Sequence, residues 1–437
     1  MRQPVRTAGT IEVLKPIAIT GAKLVDVVRK ETVSNSAILI RGENIESVGA
    51  VGDFKIPEEA ETIDASGKTI IPGLMDAHSH LVGAYWPPNV SKAQGVSEAT
   101  PELVALYAAQ HAGEMLKAGF TTVRDLGSFT PEDRGTNSVI RSLKKAIDLG
   151  LVPGPRIVVA GTINMTAGHF DMSTPSWLVR DDQTVDGPWA VRRRTRELIR
   201  SGVDLIKIAG SGGMAGKLEE ADWRNYTYEE MSAICDEAHA LHRKTAVHVY
   251  TTDSIRKAID CGVDTIEHGF PLDDYCIEQM KAKNLYLVPT LQVFCDKPPG
   301  WVNIVPDYMA RKIFAAAEEC TKSFRRAVES GVKVACGTDI TGFSPPSRQH
   351  GENAFELMLM VRYGMKPIEA IAAATKNCAD AFGLKNVGAI EAGKLADLLI
   401  VDGDPLQNIE ILRDKSKIEL VMKGGAKVAG RGALVNI

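Results

Sequence analysis

The chain contains no apolar run close to the roughly 20 residues that a membrane-spanning helix requires. It also lacks a dense basic run, and its formal net charge of −4 gives no electrostatic footprint for nucleic acid. The nearest basic cluster is Arg192-Arg193-Arg194, inside the segment Trp189 to Arg200, which reads as a solvated helix face. Cysteine is sparse and scattered: seven residues, with no Cys-x-x-Cys pair. Several of them, such as Cys235 and Cys336, fall inside apolar patterns, so they read as reduced core thiols rather than a disulfide framework. The start, Met1-Arg2-Gln3-Pro4-Val5-Arg6, is not followed by an apolar segment of the signal type. These absences lead us to expect a cytoplasmic protein without membrane or nucleic-acid partners.

What is present is the composition of a globular protein, 44% hydrophobic and 24% charged over 437 residues, long enough for one large domain and a smaller one. The middle repeats one rhythm of amphipathic helix, glycine-containing turn and short apolar strand. Strands are expected at Thr69–Ala77, Thr121–Leu126, Arg156–Ala160, Val203–Ala209, Thr245–Tyr250, Val263–His268, Leu285–Leu291 and Val332–Gly337. Gly119, Gly202, Gly262 and Gly331 punctuate four helix-to-strand junctions, as left-handed helix ends would. Met231, Ile234, Cys235, Ala238 and Leu241 recur at helical spacing, and Thr227 with Glu230 is placed for a capping box before them. Strands alternating with helices predict an α/β fold, a (β/α)8 TIM barrel spanning 71–387, with a doubly wound sheet as the structural alternative. The two ends, 1–70 and 388–437, hold only short strand-like pieces, and neither can bury a core alone. Together they predict a small composite β-sandwich domain.

The apolar run from Thr69 ends in His78-Ser79-His80. Alternation on an extended strand aims both imidazoles the same way, a clamp for a borderline metal such as zinc. Barrel enzymes keep their working residues at the C-terminal ends of the strands. The fourth candidate strand carries Lys207 in an apolar setting, where a lysine must find a partner or lose its charge. The fifth carries His248, the sixth ends in His268, and the eighth leads to Asp339. Each alone has a bland reading as a satisfied core residue or a turn former. Ligand types at five matching strand ends make coincidence a poor explanation.

These segments resemble the amidohydrolase superfamily, in its branch of metal-dependent dipeptidases and carboxypeptidases allied to imidazolonepropionase-like and ochratoxin-cleaving proteins. The likeness runs through Pro72–His80, Gly119–Asp125, Ile206-Lys207-Ile208, Gly337-Thr338-Asp339, His350–Ala354 and Gly393–Asp397. It implies two divalent metals, usually zinc, with His78, His80 and Asp339 on the first and His248 and His268 on the second. Lys207, as a carbamate formed with CO2, would bridge them. A metal-bridging hydroxide would be the nucleophile, and Asp339 would act as base and then acid. Single-metal deaminases of the superfamily usually lack the fourth-strand lysine and carry a glutamate on the fifth strand, so the binuclear pattern implied here points to hydrolysis of an amide, ester or related acyl bond. His169, Tyr226 and His350 resemble substrate-contacting positions, His169 also as a catalytic group at the substrate carbonyl. Relatives form homo-oligomers, tetramers or octamers.

The expected substrate is a small peptide-like amide with a free C-terminal carboxylate: a dipeptide, an N-acyl amino acid or an ochratoxin-type amide. Xenobiotic neutral amides, carbamates and ureas are the alternative, and a metal-free scaffold relative is the remote one. Phe170, where the family often has glycine, and the segment Gly213–Leu218 depart from the usual pattern at the mouth. Arg124 and Asp125 read as a structural pair, and His111, His239 and His242 as helix residues outside the site. Ser211 lacks the nucleophile elbow, and Ala209–Gly213 is no phosphate loop. A glycosidase barrel would use paired carboxylates and leave the histidines unexplained.

Overall fold

A computed structural model describes residues 15–82, 100–127, 136–172, 184–297, 305–341 and 349–435. The segment Met1–Arg6, and with it the start of the 1–70 unit up to residue 14, lies outside the described residues.

The chain opens with β1 (Ile17–Asp26), β2 (Glu31–Arg41), β3 (Asn44–Ala50), β4 (Glu61–Asp64) and β5 (Thr69–Pro72). Then come β6 (Leu74–Ser79), β7 (Phe120–Asp125), β8 (Arg156–Thr162), β9 (Leu205–Ala209), β10 (Lys244–Tyr250), β11 (Thr265–Phe270), β12 (Tyr286–Val288) and β13 (Lys333–Val334). It closes with β14 (Leu398–Val401), β15 (Ile418–Lys423), β16 (Ala426–Gly430) and β17 (Ala433–Leu434).

The terminal strands form one nine-stranded sheet, ordered β17-β16-β15-β14-β5-β1-β2-β3, with β4 added on β1. Ile19, Ile38, Ile40 and Ile70 from one end and Leu398, Ile400 and Met422 from the other share a single buried cluster. Each such side chain removed from water contributes about 1.5–3 kcal/mol, and neither end supplies the cluster alone.

The strands β6 to β13 form a second sheet in sequence order, every neighbouring pair parallel. Helices between them bury one face, as in Tyr228–Ala240, where Met231, Ile234, Cys235 and Ala238 turn inward behind the expected Thr227–Glu230 capping box. Gly202 and Gly262 end their helices in the left-handed conformation, a role that glycine fills without Cβ strain. Beyond β13 the chain runs back along β6: Ala77 N donates to Cys336 O at 2.7 Å, His80 N to Ile340 O at 3.0 Å, and Ser79 bridges Ile340.

Two expected strands differ. The run Thr69–Ala77 is divided at Gly73: its first half pairs with β14 in the terminal sheet, its second with β7 in the parallel one. A Cβ at Gly73 would stand 2.3 Å from Thr121 Oγ1, so only glycine allows the chain to change sheets there. The eighth strand shortens to Lys333–Val334, leaving Asp339 beyond it with φ +55. No helix among the described residues is long and apolar enough to cross a membrane.

Candidate metal centre

His78 lies near the end of β6 and His80 just past it, both buried. Their Nε2 atoms reach Asp339 Oδ1 at 3.5 and 3.2 Å. One ligand atom from each of the three lies within 4.8 Å of the others, a spacing a single ion would span. His248 of β10 and His268 of β11 face each other, Nδ1 to Nε2 at 2.9 Å. Lys207 of β9 is buried, with Nζ 3.4 Å from His78 Nε2. The structure thus gathers all six residues of the expected ligand set.

The outer nitrogens decide what the inner ones can do. His78 Nδ1 meets Glu267 Oε2 at 2.8 Å, and His80 Nδ1 meets the Gly127 carbonyl at 2.8 Å. His248 Nε2 faces the Gly212 carbonyl at 3.2 Å, and His268 Nδ1 faces Thr290 Oγ1 at 2.7 Å. With protons placed on these outer nitrogens, four inner lone pairs converge on the same space, the arrangement by which proteins orient histidine ligands toward a metal. Burial, reinforced by neighbouring charge, holds His78, His248 and His268 well below the ordinary imidazole range, which keeps them neutral and able to ligate. Burial also brings the Lys207 ammonium down to about 8, so an uncharged amine is accessible near neutrality. For Asp339, burial pushes upward, but His78, His80 and Lys207 outweigh it and leave the carboxyl below its usual range. The donor set suits divalent ions that accept nitrogen and oxygen ligands.

His169 joins this centre. Its ring stacks on His248 with centroids 4.5 Å apart and planes 13° apart. Glu219 holds its Nδ1 at 2.8 and 3.0 Å and also accepts from the Gly213 and Gly216 amides. A Cβ on Gly213 would lie 2.1 Å from the His169 ring, so this glycine is a close-approach residue. The buried Lys312 donates to the carbonyls of Gly213, Gly216 and Glu219 and locks the loop over the site. The Tyr226 hydroxyl donates to the Ile163 carbonyl at 2.8 Å. The buried His350 lies against His111, ring centroids 4.3 Å apart and planes tilted by 30°, and close enough to His80 for their charges to interact.

Sequence reasoning missed the supports. Glu267, wholly buried, pairs with Arg124 at 2.7 Å as well as with His78. Arg124 and Asp125 are therefore not a pair. As strand neighbours they point to opposite faces, and Asp125 instead accepts from the Leu81 and Gly127 amides and from Asn137. Asp76 accepts from the His78 and Thr338 amides and from Asn353, joining the two segments that carry His78 and Asp339. A glutamate or an arginine inside an apolar strand was the available signal, the same one that singled out Lys207. Ser211 is a strut: its Oγ accepts from the Tyr250 amide at 2.9 Å.

The amidohydrolase family model matches residues 69–428, and the chain belongs to that family. It is 29% identical to ochratoxinase of Aspergillus niger over 431 residues, 92% of this chain and 84% of that one. Imidazolonepropionase of Alkaliphilus oremlandii is 26% identical over 434 residues, 91% of each chain. Among solved structures, a Xaa-Pro dipeptidase with methionine bound in its active site superposes with TM-score 0.83 at 32% identity, covering 95% of this chain and all of that one.

Proposed function

We propose that the chain is a binuclear metal-dependent amidohydrolase that cleaves a peptide-like amide bearing a C-terminal carboxylate. The observation that carries this reading is the pattern of pinned outer nitrogens and converging inner ones. His78, His80 and Asp339 would hold one divalent ion, most simply zinc, and His248 and His268 the other, with Lys207 as a carbamate between them. The ions, once bound, supply a Lewis acid for the scissile carbonyl and lower the pKa of water. Asp339, partly open to the site, takes the proton of the attacking water and returns it to the leaving nitrogen. His169, oriented by Glu219, presents its other nitrogen to the substrate's carbonyl or carboxylate oxygen. The reading includes a closed (β/α)8 barrel, supported by the bonds from β6 to Cys336 and Ile340. It also takes 1–70 with 388–437 as a composite sandwich domain, supported by their shared sheet.

A dipeptide ends in a free carboxylate, and so does the methionine bound in the active site of the Xaa-Pro dipeptidase, which favours the carboxylate-bearing class. A library of dipeptides, N-acyl amino acids and neutral amides tests it. Carboxylate-bearing substrates should be cleaved with at least about tenfold higher kcat/KM, the equivalent of about 1.4 kcal/mol of transition-state binding. Equal rates on neutral amides would transfer the assignment to the xenobiotic amide, carbamate and urea class.

A further inference from the structure

Among the described residues, the wall of the site carries a polar group, Tyr250, that the proposed function does not use. Tyr250 ends β10 two residues after His248, so alternation puts it on the same face of the strand. Its ring lies nearly flat on His268, centroids 5.1 Å apart and planes 20° apart, and edge-on to His248 at 4.7 Å. Phe270 and Phe294 pack around it at 5.1 and 6.0 Å, and Ser211 holds its backbone amide. The residue is only 4% exposed.

Its hydroxyl is in a different position from its ring. It has no hydrogen-bond partner among the described residues, yet it is not one of the sealed, unsatisfied atoms such as those of Asn164. A buried phenol ordinarily finds an acceptor. One that lacks an acceptor among the described residues, on the strand face of His248 and pressed against two imidazoles of the centre, is placed beside the space where substrate reacts. A phenol, with an ordinary pKa of about 10, carries its proton at neutral pH and can donate it in a hydrogen bond. The Tyr226 hydroxyl, by contrast, already donates to the Ile163 carbonyl.

We propose that Tyr250 is a catalytic residue whose phenolic O–H donates a hydrogen bond to the scissile carbonyl oxygen as that oxygen gains negative charge. No proton leaves the phenol and no bond to it forms. The hydrogen bond strengthens as the carbonyl becomes tetrahedral and relaxes as the carbonyl reforms. This assignment rests on the amidohydrolase reading above.

Tyr250→Phe keeps the ring and removes the oxygen. On the metal-loaded full chain, with whichever amide the wild type cleaves best, metal content and Tm should be unchanged. The kcat should fall about 100-fold, the loss typical of one removed oxyanion donor, with KM within about threefold. A phosphonate mimic of the tetrahedral state should weaken by the same factor as kcat/KM. Should the Phe variant bind less metal, Tyr250→His, which restores an N–H donor on a ring, should recover part of the kcat. A kcat within about threefold of wild type, a loss confined to KM, or no difference between the Phe and His variants would each overturn the assignment. A wild type inert on every amide overturns the hydrolase reading as well, and it is recognised because the wild type itself is then silent.

Discussion

The reactivity of each side chain in the centre is set by what its far end touches. His78 differs from a generic buried histidine because Glu267, itself anchored by Arg124, accepts at Nδ1 and leaves Nε2 for the site. Lys207 is the most diagnostic residue. Among the described residues no carboxylate lies within ion-pair distance of it, and burial outweighs the pull of Glu267 and Asp339 to lower its pKa to about 8. Lys207→Ala should reduce bound metal and lower turnover by at least about tenfold, the scale seen when support for a metal site is lost. A short-chain carboxylic acid should restore part of both, measured by metal analysis and amide turnover with and without the acid. Near-normal turnover of the variant without added acid would rule out the bridging carbamate. The six candidate ligands were legible in the chain because alternation and strand position are local properties. Glu267 and Glu219 were not, since their histidine partners lie 189 and 50 residues away. Tyr250 was legible by the rule that paired His78 with His80, applied to β10.

At the scale of elements, the helix-to-strand rhythm was readable because capping residues and junction glycines act within a few positions. Thr227 and Glu230 form the expected box, and Gly202 and Gly262 the expected helix ends. Strand ends were less readable. The break at Gly73 depends on Thr121 in another strand, and β13 is short because its continuation bonds to β6. Asp264 shows how one loop carboxylate ties elements together. It accepts from the Thr245 amide and from Lys244 at the start of β10, and meets His239 on the preceding helix. Burial raises its pKa, but the hydrogen bonds of His239 and Lys244 outweigh that and bring it down to about 2. A depressed carboxyl stabilises the fold above its unfolded pKa, near 4, and loses that contribution as pH falls through about 2. Asp264→Asn should therefore cost about 2 kcal/mol at pH 5, read as a lower Tm. The gap from wild type should shrink toward zero by pH 2. A gap independent of pH would show that the carboxylate charge contributes nothing.

For the whole molecule, one sheet of eight parallel strands brings together candidate ligands spread from His78 to Asp339, and a second sheet joins the 17–72 and 398–434 strands. The parallel architecture was legible from alternation of strand and helix. That the terminal strands share a core was legible only by elimination, because neither set could bury one alone. The substrate is not written in the candidate ligand set, since the same six side chains would serve many acyl bonds. In a binuclear centre, two ions are required together. Chelating the purified chain and titrating a divalent metal back, while following cleavage of a carboxylate-bearing amide, tests it most directly. Activity should return only as the second equivalent per chain binds, and His268→Ala should hold about one equivalent and stay inactive. Full turnover with one equivalent, or turnover that persists after chelation, would contradict the account.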